Sequence, residues 1–461
     1  MNIALGAKLV AARAAGSLSR RAGRGATSLP GKVLMRLEPQ AIAQLAARLP
    51  RGNAVISATN GKTTTAAMVA AIMEHTGVRL VHNRAGANMA GGVAASLLGA
   101  AGPRGSIAGD LGLFEVDEFW LDRVIGQLRP RALLLANLFR DQLDRYGELE
   151  TIAERWATVV RADRSQALVL NADDPLVADL TRERAGAHGR ETILFGVEDV
   201  SVALPGLSHA SDSKHCRRCG TPYAYDTVFL GHLGHYHCPT ADNRRPEPHV
   251  AATRVVLNGA RSAEITLRTP AGTIDVVLPL PGLYNVYNAL GATALSLVLG
   301  AGLEDVRAGL EAVSPAFGRA ETVHVGGRPV SLLLVKNPAG ANEVLRTLAL
   351  EEGEHDLFAL LNDRTADGRD VSWVWDADFE LLAGRLRRAT CSGTRAAELA
   401  LRLKYAGVPT DRLNVVDDVA GGLDAAVAGG KGPLYVLPTY TALLELRREL
   451  VARDLAGSAF G

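Results

Sequence analysis

The sequence predicts an α/β protein with a larger unit built on a mainly parallel sheet and a smaller, doubly wound unit near the C-terminus. Short apolar runs alternate with helical patterns from about residue 55 to 196, and again from 331 onwards. Such alternation is typical of parallel strands joined by crossover helices. The pattern breaks between about residues 200 and 250, which indicates an insert. A length of 461 residues leaves room for two or three domains.

The composition indicates an ordinary soluble globular protein. The chain is 48% hydrophobic and 21% charged, with a net charge of +1, so its charge gives no reason to expect nucleic-acid binding. No apolar run reaches the roughly 18 residues that span a bilayer. Two of the four cysteines form a Cys-x-x-Cys pair, which favours a metal in a reducing compartment over disulfides. We therefore expect a cytoplasmic protein.

Residues 1–50 are predicted to form a basic helical segment. The first 37 residues carry seven basic side chains and no acidic one. A helix with its charges in water, a transit peptide and an amphipathic helix on anionic lipid all fit this composition. The basic residues are Lys8, Arg13, Arg20, Arg21, Arg24, Lys32 and Arg36.

A phosphate-binding loop is predicted directly after the first strand of the larger unit. Residues 59–65 read Thr-Asn-Gly-Lys-Thr-Thr-Thr, between an apolar strand and an alanine-rich helix from about Thr63. Backbone N–H groups at such a helix start face the phosphates, Lys62 reaches the outer phosphates, and Thr63 can ligate Mg²⁺. The general G-x-x-x-x-G-K-[ST] pattern is incomplete, because Ile56 replaces its first glycine. The predicted nucleotide ligands here are Thr59, Asn60, Gly61, Lys62, Thr63 and Thr64.

Polar residues gather where the strands of the larger unit are predicted to end. Because ligands bind beyond the carboxyl ends of parallel strands, Glu115 is expected to hold Mg²⁺ opposite Thr63, as a hard cation prefers oxygen. The alternative is a solvated acid at a strand end. Strands are predicted at 54–57, 79–82, 106–116, 132–137, 167–171 and 192–195, and later at 253–257, 263–268 and 273–278.

Several of these motifs resemble the Mur ligase and folylpolyglutamate synthase superfamily, whose members join a carboxylate to an amine through an acyl phosphate. Residues 59–65 resemble its ATP loop, and the segment from Asn137 resembles N-x-x-x-D-H-[LM]-D. Gln142 stands where most Mur ligases carry a metal-binding histidine, and no carbamylated lysine is evident in 153–157. A second metal ion is therefore in doubt.

The same resemblance implies nucleotide contacts further along the chain. Residues 281–290 resemble the G-x-[HY]-N-x-x-N-A-L-A element, whose asparagines, here Asn285 and Asn288, lie near the adenine. A pure capping role is the alternative for Asn285, which falls at the expected start of a helix. Residues 317–321 resemble the F-G-R-x-E hinge before the last Mur domain, which adds Arg319 to the predicted nucleotide site.

The insert, at about 203–250, is predicted to resemble a zinc ribbon. Cys216, Cys219 and Cys238 are candidate ligands, but Ala241 takes the place of the fourth cysteine. Zinc in structural sites takes four ligands, so a non-cysteine group would have to complete the shell; otherwise the hairpin folds without metal. The candidates for that group are His235, His237, Asp242 and His249.

A smaller Rossmann-like domain is predicted for 319–461, after the central ATP-binding domain at 51–318. Its strands are expected at 331–335, 355–361, 388–391, 413–416 and 434–437. Polar loops at 336–342 and 362–376 stand out, because loops at strand ends often carry function. Cys391 ends an apolar strand, and we interpret it as a buried small hydrophobe.

From residues 29–32 to 434–440 the sequence resembles the MurT family, the ligase-like subunits of lipid II isoglutaminyl synthase. Three features are specific: the cysteine-bearing insert, the Arg-Asp-Gln at 140–142, and the Asp-Gly-Arg-Asp-Val-Ser-Trp at 367–373. A fourth is the lack of room for a nucleotide-sugar domain before Thr59. The resemblance implies that ATP activates the D-glutamate α-carboxylate of lipid II, at the inner membrane face, and that ammonia from a GatD glutaminase gives D-isoglutamine.

The resemblance also implies that the ligase-like subunit lends an acid to the glutaminase. Asp370 is the first choice, over Asp367 and Asp376, with a solvated or capping acid as the alternative. Two other functions stay open: another Mur-like ligase acting on folate or a free amino acid, and a zinc-ribbon binding module that uses ATP only as a switch.

Overall fold

The computed structural model describes residues 3–21, 28–83, 87–103, 105–141, 149–162, 165, 167–184, 191–207, 211–314, 319–430 and 432–456. Within these residues the α/β fold class is confirmed, since two separate sheets carry helices on both faces. We call the parts built on them the larger and the smaller unit.

Three helices precede the first strand and pack onto the larger unit. They are α1 (Ile3–Arg21), α2 (Leu29–Leu37) and α3 (Ala41–Ala46). Leu5 and Leu9 are buried in the core below them, whereas Lys8 pairs with Glu38 at 2.9 Å and Arg13 donates to the carbonyl of Leu98 at 2.8 Å. Part of the basic charge of this segment thus binds the protein itself. Among the described residues, no helix combines the length and apolarity that crossing a membrane requires.

The larger unit has a nine-stranded sheet in the order β11-β10-β9-β6-β5-β4-β1-β3-β2. All pairings on the side of the sheet from β9 through β6, β5, β4, β1 and β3 to β2 are parallel, and β9, β10 and β11 form an antiparallel meander. Strands β7 and β8 form a separate two-stranded sheet. The strands are β1 (Asn53–Ser57), β2 (Leu80–His82), β3 (Leu111–Glu115), β4 (Ala132–Leu135), β5 (Ala167–Asn171), β6 (Glu191–Val197), β7 (Ala224–Leu230), β8 (Leu233–His237), β9 (Val250–Asn258), β10 (Ser262–Thr269) and β11 (Gly272–Leu278).

Helices cover both faces of this sheet, because the buried strands are apolar on both sides. Ile56 and Leu134 face the core under α4, α9 and α10, while Val55 and Leu133 face the core under α1 to α3 and α5 to α7. The helices are α4 (Lys62–His75), α5 (Ala90–Ala100), α6 (Leu121–Leu128), α7 (Leu149–Ala162), α8 (Pro175–Ala178), α9 (Leu283–Leu299) and α10 (Leu303–Glu311).

The insert leaves the sheet after β6 and returns at β9, its direct neighbour. Its hairpin pairs β7 with β8 in antiparallel register, as the sequence predicted. The turn of the hairpin, Gly231 and His232, points back to the larger unit, where the His232 ring lies 4.8 Å from the ring of Phe139.

The smaller unit has a six-stranded sheet in the order β12-β13-β17-β14-β15-β16. All its pairings are parallel except β12 with β13. Its strands are β12 (Arg319–Val325), β13 (Arg328–Leu333), β14 (His355–Leu360), β15 (Leu386–Ser392), β16 (Leu413–Val415) and β17 (Leu434–Pro438). Its helices are α11 (Pro338–Ala349), α12 (Glu380–Ala383), α13 (Ala396–Tyr405), α14 (Val419–Val427) and α15 (Tyr440–Ala452).

The predicted strands all exist, with two corrections. The run at 106–116 becomes a strand only at Leu111, because Ile107 instead forms an isolated antiparallel bridge with Ala101. The sequence also missed β12, an edge strand beginning at Arg319. Cys391 is completely buried, and burial raises the pKa of its thiol to about 12, in keeping with a core role.

Candidate active site

The loop between β1 and α4 has the geometry of a phosphate cradle. Helix α4 begins at Lys62, one residue before the predicted start, and Gly61 precedes it with a φ of 84°. A Cβ on Gly61 would stand 2.0 Å from Oδ1 of Asn288. Glycine is therefore required here both by the backbone conformation and by the close approach of α9.

Asn137 holds this loop through reciprocal hydrogen bonds. The backbone N–H of Asn60 donates to Oδ1 of Asn137 at 2.9 Å, and Nδ2 of Asn137 donates to the carbonyl of Asn60 at 3.0 Å. The next contact is from the N–H of Phe139 to Oγ1 of Thr59, at 3.1 Å. Thr59, Asn60 and Asn137 therefore fix the shape of the loop, and the nucleotide contacts that the sequence predicts for all three stay predictions.

Lys62 is buried and paired with Glu118 at 2.7 Å, and its ammonium also donates to the carbonyls of Ala58 and Thr59. Burial alone would lower the pKa of Lys62, but the charges of Glu118 and Asp117 outweigh it and raise the pKa. Burial would likewise raise the pKa of Glu118, but Lys62 lowers it. The ion pair keeps the ammonium charged beside the phosphate cradle.

Glu118 belongs to the Glu-Val-Asp-Glu run at 115–118, of which the sequence predicted a role only for Glu115. Glu115 ends β3 with its side chain buried, in register with Ile56 on β1. Asn83 fixes its backbone through bonds of 2.9 and 2.8 Å. Adjacent strand ends therefore bring Glu115 close to the loop that leads to Thr63, the second residue of α4, and a carboxylate with a hydroxyl is a donor set that fits Mg²⁺.

Asn285 and Asn288 lie together on the first turns of α9, beside the phosphate loop. Oδ1 of Asn288 accepts a bond from the Thr65 hydroxyl at 3.2 Å, and Nδ2 of Asn288 donates to Oδ1 of Asn285 at 3.1 Å. The expectation that Asn285 is the helix cap is wrong, because Gly282 takes that position. Asn285 instead donates to the carbonyl of Pro281 at 2.7 Å.

The smaller unit contacts the phosphate loop through two residues of the polar loop at 336–342, for which the sequence predicted no particular role. Nζ of Lys336 lies 2.5 Å from a carboxylate oxygen of Asp141 and donates to the carbonyl of Thr59 at 3.1 Å. Nδ2 of Asn337 donates to Oδ1 of Asn60 at 3.1 Å. The available signal was a Lys-Asn-Pro directly after a strand, at the start of α11.

Two of the predicted residues lie wholly or partly outside the described part of the chain, and two others lie in the first turn of α4. Gln142 and the side chain of Arg319 lie outside the described residues. Thr64 is buried in the first turn of α4, next to the half-buried Thr63. The roles assigned to these residues stay predictions.

The three acids of the loop at 367–376 have different surroundings. Asp367 is buried and accepts a bond from the backbone N–H of Thr441 at 2.7 Å, and burial raises its pKa. Asp376 pairs with Arg140 at 3.3 Å. Asp370 is exposed and accepts a bond from the N–H of Ser372 at 2.8 Å, and the hydrogen bonds from Ser372 lower its pKa. Asp370 and Asp376 are therefore both exposed, but Asp376 is paired with Arg140.

Cys216, Cys219 and Cys238 come together in the insert, with their sulfur atoms within 4.8 Å of one another. Zinc–sulfur bonds of about 2.3 Å in a tetrahedron place sulfurs about 3.8 Å apart, so three thiolates in this arrangement fit zinc. The N–H of Ala241 donates to Sγ of Cys238 at 3.2 Å. Hydrogen bonds to Thr221 and Thr240 lower the pKa of Cys219 to about 6.

None of the four groups proposed as a fourth ligand joins this cluster in the described residues. His235 contacts the carbonyl of Val197 at 2.9 Å, and His249 accepts a bond from the N–H of Leu194 at 3.0 Å. His237 contacts Asp226. Asp242 points to solvent beside Arg244. The side chain that stands nearest the sulfurs is Thr240, with Oγ1 at 3.2 Å from Sγ of Cys219.

Comparison with known proteins defines the class. Residues 56–237 match the Mur ligase middle domain, and residues 334–443 match the MurT ligase C-terminal domain. The fold is similar to a pseudomurein peptide ligase type C from Methanothermus fervidus, with a TM-score of 0.66 at 21% identity over 88% of this chain and 79% of that one. The larger unit and its phosphate loop are thus those of a Mur ligase.

The family follows from two relatives named lipid II isoglutaminyl synthase (glutamine-hydrolyzing) subunit MurT. The one from Streptococcus pneumoniae is 32% identical over 99% of both chains. The one from Staphylococcus aureus strain N315 is 31% identical over 95% of this chain and 96% of that one. The chain belongs to the MurT family. The expected class of enzyme, an ATP-dependent ligase of peptidoglycan biosynthesis, is confirmed at this level.

Proposed function

We propose that this chain amidates the α-carboxylate of D-glutamate in the stem peptide of lipid II, giving D-isoglutamine at the expense of ATP. The carrying observation is a Mur-type phosphate loop, with Lys62 buried beside it, in a chain that aligns over 99% of a lipid II isoglutaminyl synthase subunit. The roles of the other residues, of Mg²⁺ and of the partner subunit are proposed around this ATP site.

The reaction divides into two transfers. A carboxylate oxygen of the substrate attacks the γ-phosphorus of ATP, ADP leaves, and an acyl phosphate remains. The nitrogen of ammonia then attacks the acyl carbon, phosphate leaves, and the nitrogen loses a proton. Both transfers concentrate negative charge, so positioned cations supply most of the catalysis.

Each residue around the loop has its own role in this scheme. Lys62 exchanges its bond with Glu118 for the outer phosphate oxygens. Thr63 and Glu115 hold Mg²⁺, which neutralises phosphate charge when bound. Asn285 and Asn288 lie near the adenine, and Arg319 contacts the nucleotide from the hinge between the proposed central domain at 51–318 and the C-terminal domain at 319–461.

Lys336 brings a second ammonium to the loop from the smaller unit, 3.1 Å from the carbonyl of Thr59. Its partner Asp141 is buried, which raises the pKa of that carboxyl, although Lys336 opposes the shift. Because a lysine is a mobile point charge, we assign Lys336 to the acyl phosphate or to the carboxylate that forms it.

Ammonia is proposed to come from a GatD-type glutaminase that binds this chain. Both relatives are named as subunits of a glutamine-hydrolysing lipid II isoglutaminyl synthase. A glutaminase with a Cys–His pair gains from an acid that orients the imidazole. Asp370 suits that role, since it is exposed and ionised, whereas Asp367 is tied to Thr441.

The lipid tail of the substrate sets where the protein works. We propose that it acts at the inner face of the cell membrane, with the exposed Lys32 and Arg36 of α2 towards anionic lipid. For the insert we propose a structural zinc held by Cys216, Cys219 and Cys238.

The experiment that tests the ATP site is Lys62→Ala, with ammonia-dependent ADP formation on lipid II as the measurement. We expect a loss of several orders of magnitude in a folded chain, because the ammonium meets the transferring phosphoryl group. Lys404→Ala, at an exposed position on α13, is the control. Unchanged turnover in Lys62→Ala would remove the ATP-site assignment, and ADP release that needs an amino acid instead of ammonia would favour another Mur-like ligase.

A further inference from the structure

Arg140 links three parts of the protein that are distant in sequence. Its backbone N–H donates to Oδ2 of Asp212 at 2.9 Å, and its Nε donates to Oδ1 of the same carboxylate at 2.5 Å. Its Nη2 lies 3.3 Å from Oδ2 of Asp376. Asp212 belongs to the insert and Asp376 to the smaller unit. We call these contacts the Arg140 bridge.

The two halves of the bridge differ in burial. The side chain of Asp212 is 5% exposed, whereas that of Asp376 is 46% exposed. The Asp212 carboxylate holds Arg140 at two points, because one oxygen accepts from the guanidinium and the other from the backbone N–H. A half-exposed pair contributes little stability. The contact of Arg140 with Asp212 of the insert is thus the firm one, and its contact with Asp376 of the smaller unit can break and re-form.

The Arg140–Asp376 contact lies near a gap between the two units. A crevice separates the two units beside it, lined by Phe139 and His232 on one side and by Asn342 and Arg346 on the other. Arg140 and Asp376 meet beside this crevice, with 3.3 Å between Nη2 and Oδ2.

The Arg140 bridge lies between the phosphate loop and the loop that carries Asp370. On one side the neighbouring Phe139 bonds Thr59 of the phosphate loop at 3.1 Å. On the other, Asp376 ends the short helix Ser372–Asp376, whose first N–H is held by Asp370 at 2.8 Å. One arginine therefore connects the loop that handles ATP with the loop proposed to meet the glutaminase.

We propose that Arg140 is a positioning residue, held by Asp212, that fixes the Asp370 loop relative to the phosphate loop and so couples glutamine use to the ligase site. The inference rests on the proposed function, because it needs a glutaminase partner at Asp370. It also gives the insert a role in the reaction, since the insert presents Asp212 to Arg140.

The test compares Arg140→Gln and Asp376→Asn with the wild type in the assembled complex, with glutamine or ammonia as nitrogen source. In each single variant we expect the ratio of glutamine-driven to ammonia-driven amidation to fall at least about threefold. The double variant should show no further fall, since both changes break the same contact between Arg140 and Asp376. Asp378→Asn is the control, because Asp378 pairs with Arg346 inside the smaller unit. An unchanged ratio, or equal loss with both nitrogen sources, overturns the inference.

Hydrogen exchange of residues 372–376 gives a second readout that needs no activity. Faster exchange in Arg140→Gln and in Asp376→Asn supports the bridge, and unchanged exchange in both overturns it. If the wild-type complex uses ammonia but not glutamine, the partner part of the proposed function fails, and the exchange measurement then decides about the bridge alone. Asp376→Asn alters only a surface position, so misfolding of Arg140→Gln would leave the test intact.

Discussion

Two buried glutamates in this protein have pKa values that are shifted in opposite directions. Lys62 lowers the pKa of Glu118 against the effect of burial. Glu343 on α11 is equally buried, but there burial outweighs the neighbouring Arg346 and raises the pKa. A lowered carboxyl pKa stabilises the fold above its unfolded value, and this stability is lost as the pH falls through the folded pKa. A raised one destabilises the fold at neutral pH, and acid relieves that cost.

We therefore predict opposite pH effects for Glu118→Gln and Glu343→Gln. Between pH 7 and 4, the unfolding midpoint of Glu118→Gln should fall less steeply with acid than that of the wild type, and that of Glu343→Gln more steeply. At pH 7 the first variant should also lose about 3 kcal/mol of unfolding free energy, as breaking a buried pair does. Thermal unfolding across this range measures both effects, and parallel curves for all three proteins would contradict the assignment.

At the same scale, the sequence predicted part of the site and missed the rest for a physical reason. The phosphate loop could be predicted, because a strand, a Gly-Lys-Thr and a helix are adjacent in sequence. Glu118 was missed as the partner of Lys62, since only the turn after β3 decides which acid of the run meets the ammonium. Lys336 was missed because its contact with Thr59 spans two units.

Among the elements, the insert departs most from its expected form. Three sulfurs meet as predicted, but Ala241 leaves the fourth position without a side-chain ligand, and its N–H bonds Cys238 instead. The alternatives of the sequence analysis failed because β8 alternates its side chains, so that His235 and His237 lie away from Cys238. A hairpin could be predicted from the sequence, but the directions of its side chains could not.

We predict about one zinc per chain by elemental analysis, bound more weakly than at a four-cysteine site. Ala241→Cys should keep the metal at a chelator concentration that strips the wild type, because it completes a tetrahedral shell. Cys216→Ser should lose the metal, while Cys391→Ser, in the core of the smaller unit, should keep it. Zinc well below one per chain in the wild type would show that packing alone holds the insert.

At the scale of the whole molecule, the two units meet where the chemistry is proposed. Lys336 and Asn337 lie on the phosphate loop, and Arg140 reaches Asp376. The sequence predicted both α/β units and nearly all their strands, because alternation is a local pattern. It could not predict how the units face each other, since that depends on contacts such as Lys336 with Asp141.

For the complex as a whole, Asp370→Asn should separate the two nitrogen sources. Glutamine-driven amidation should fall by a factor of roughly ten or more, because the imidazole of the glutaminase loses the acid that orients it. Ammonia-driven amidation and complex formation should persist. Asp417→Asn, at another exposed acid of the smaller unit, is the control. Loss with both sources would place Asp370 in the ligase site, and no change would make it a surface residue.

The strand order of the larger sheet also bears on the synthesis of this protein. Strands β1, β3, β4 and β5 leave the ribosome early, but α9, which covers Ile56 and Leu134, ends only at Leu299. At roughly 5–20 residues per second, the nascent sheet waits on the order of ten to thirty seconds after β4 for that cover. Strand β9, which pairs with β6 in the same sheet, is also made only after the whole insert. During this interval the part of this apolar sheet face that α4 does not cover is open to chaperones, and we expect newly made chains to depend on them most at this stage.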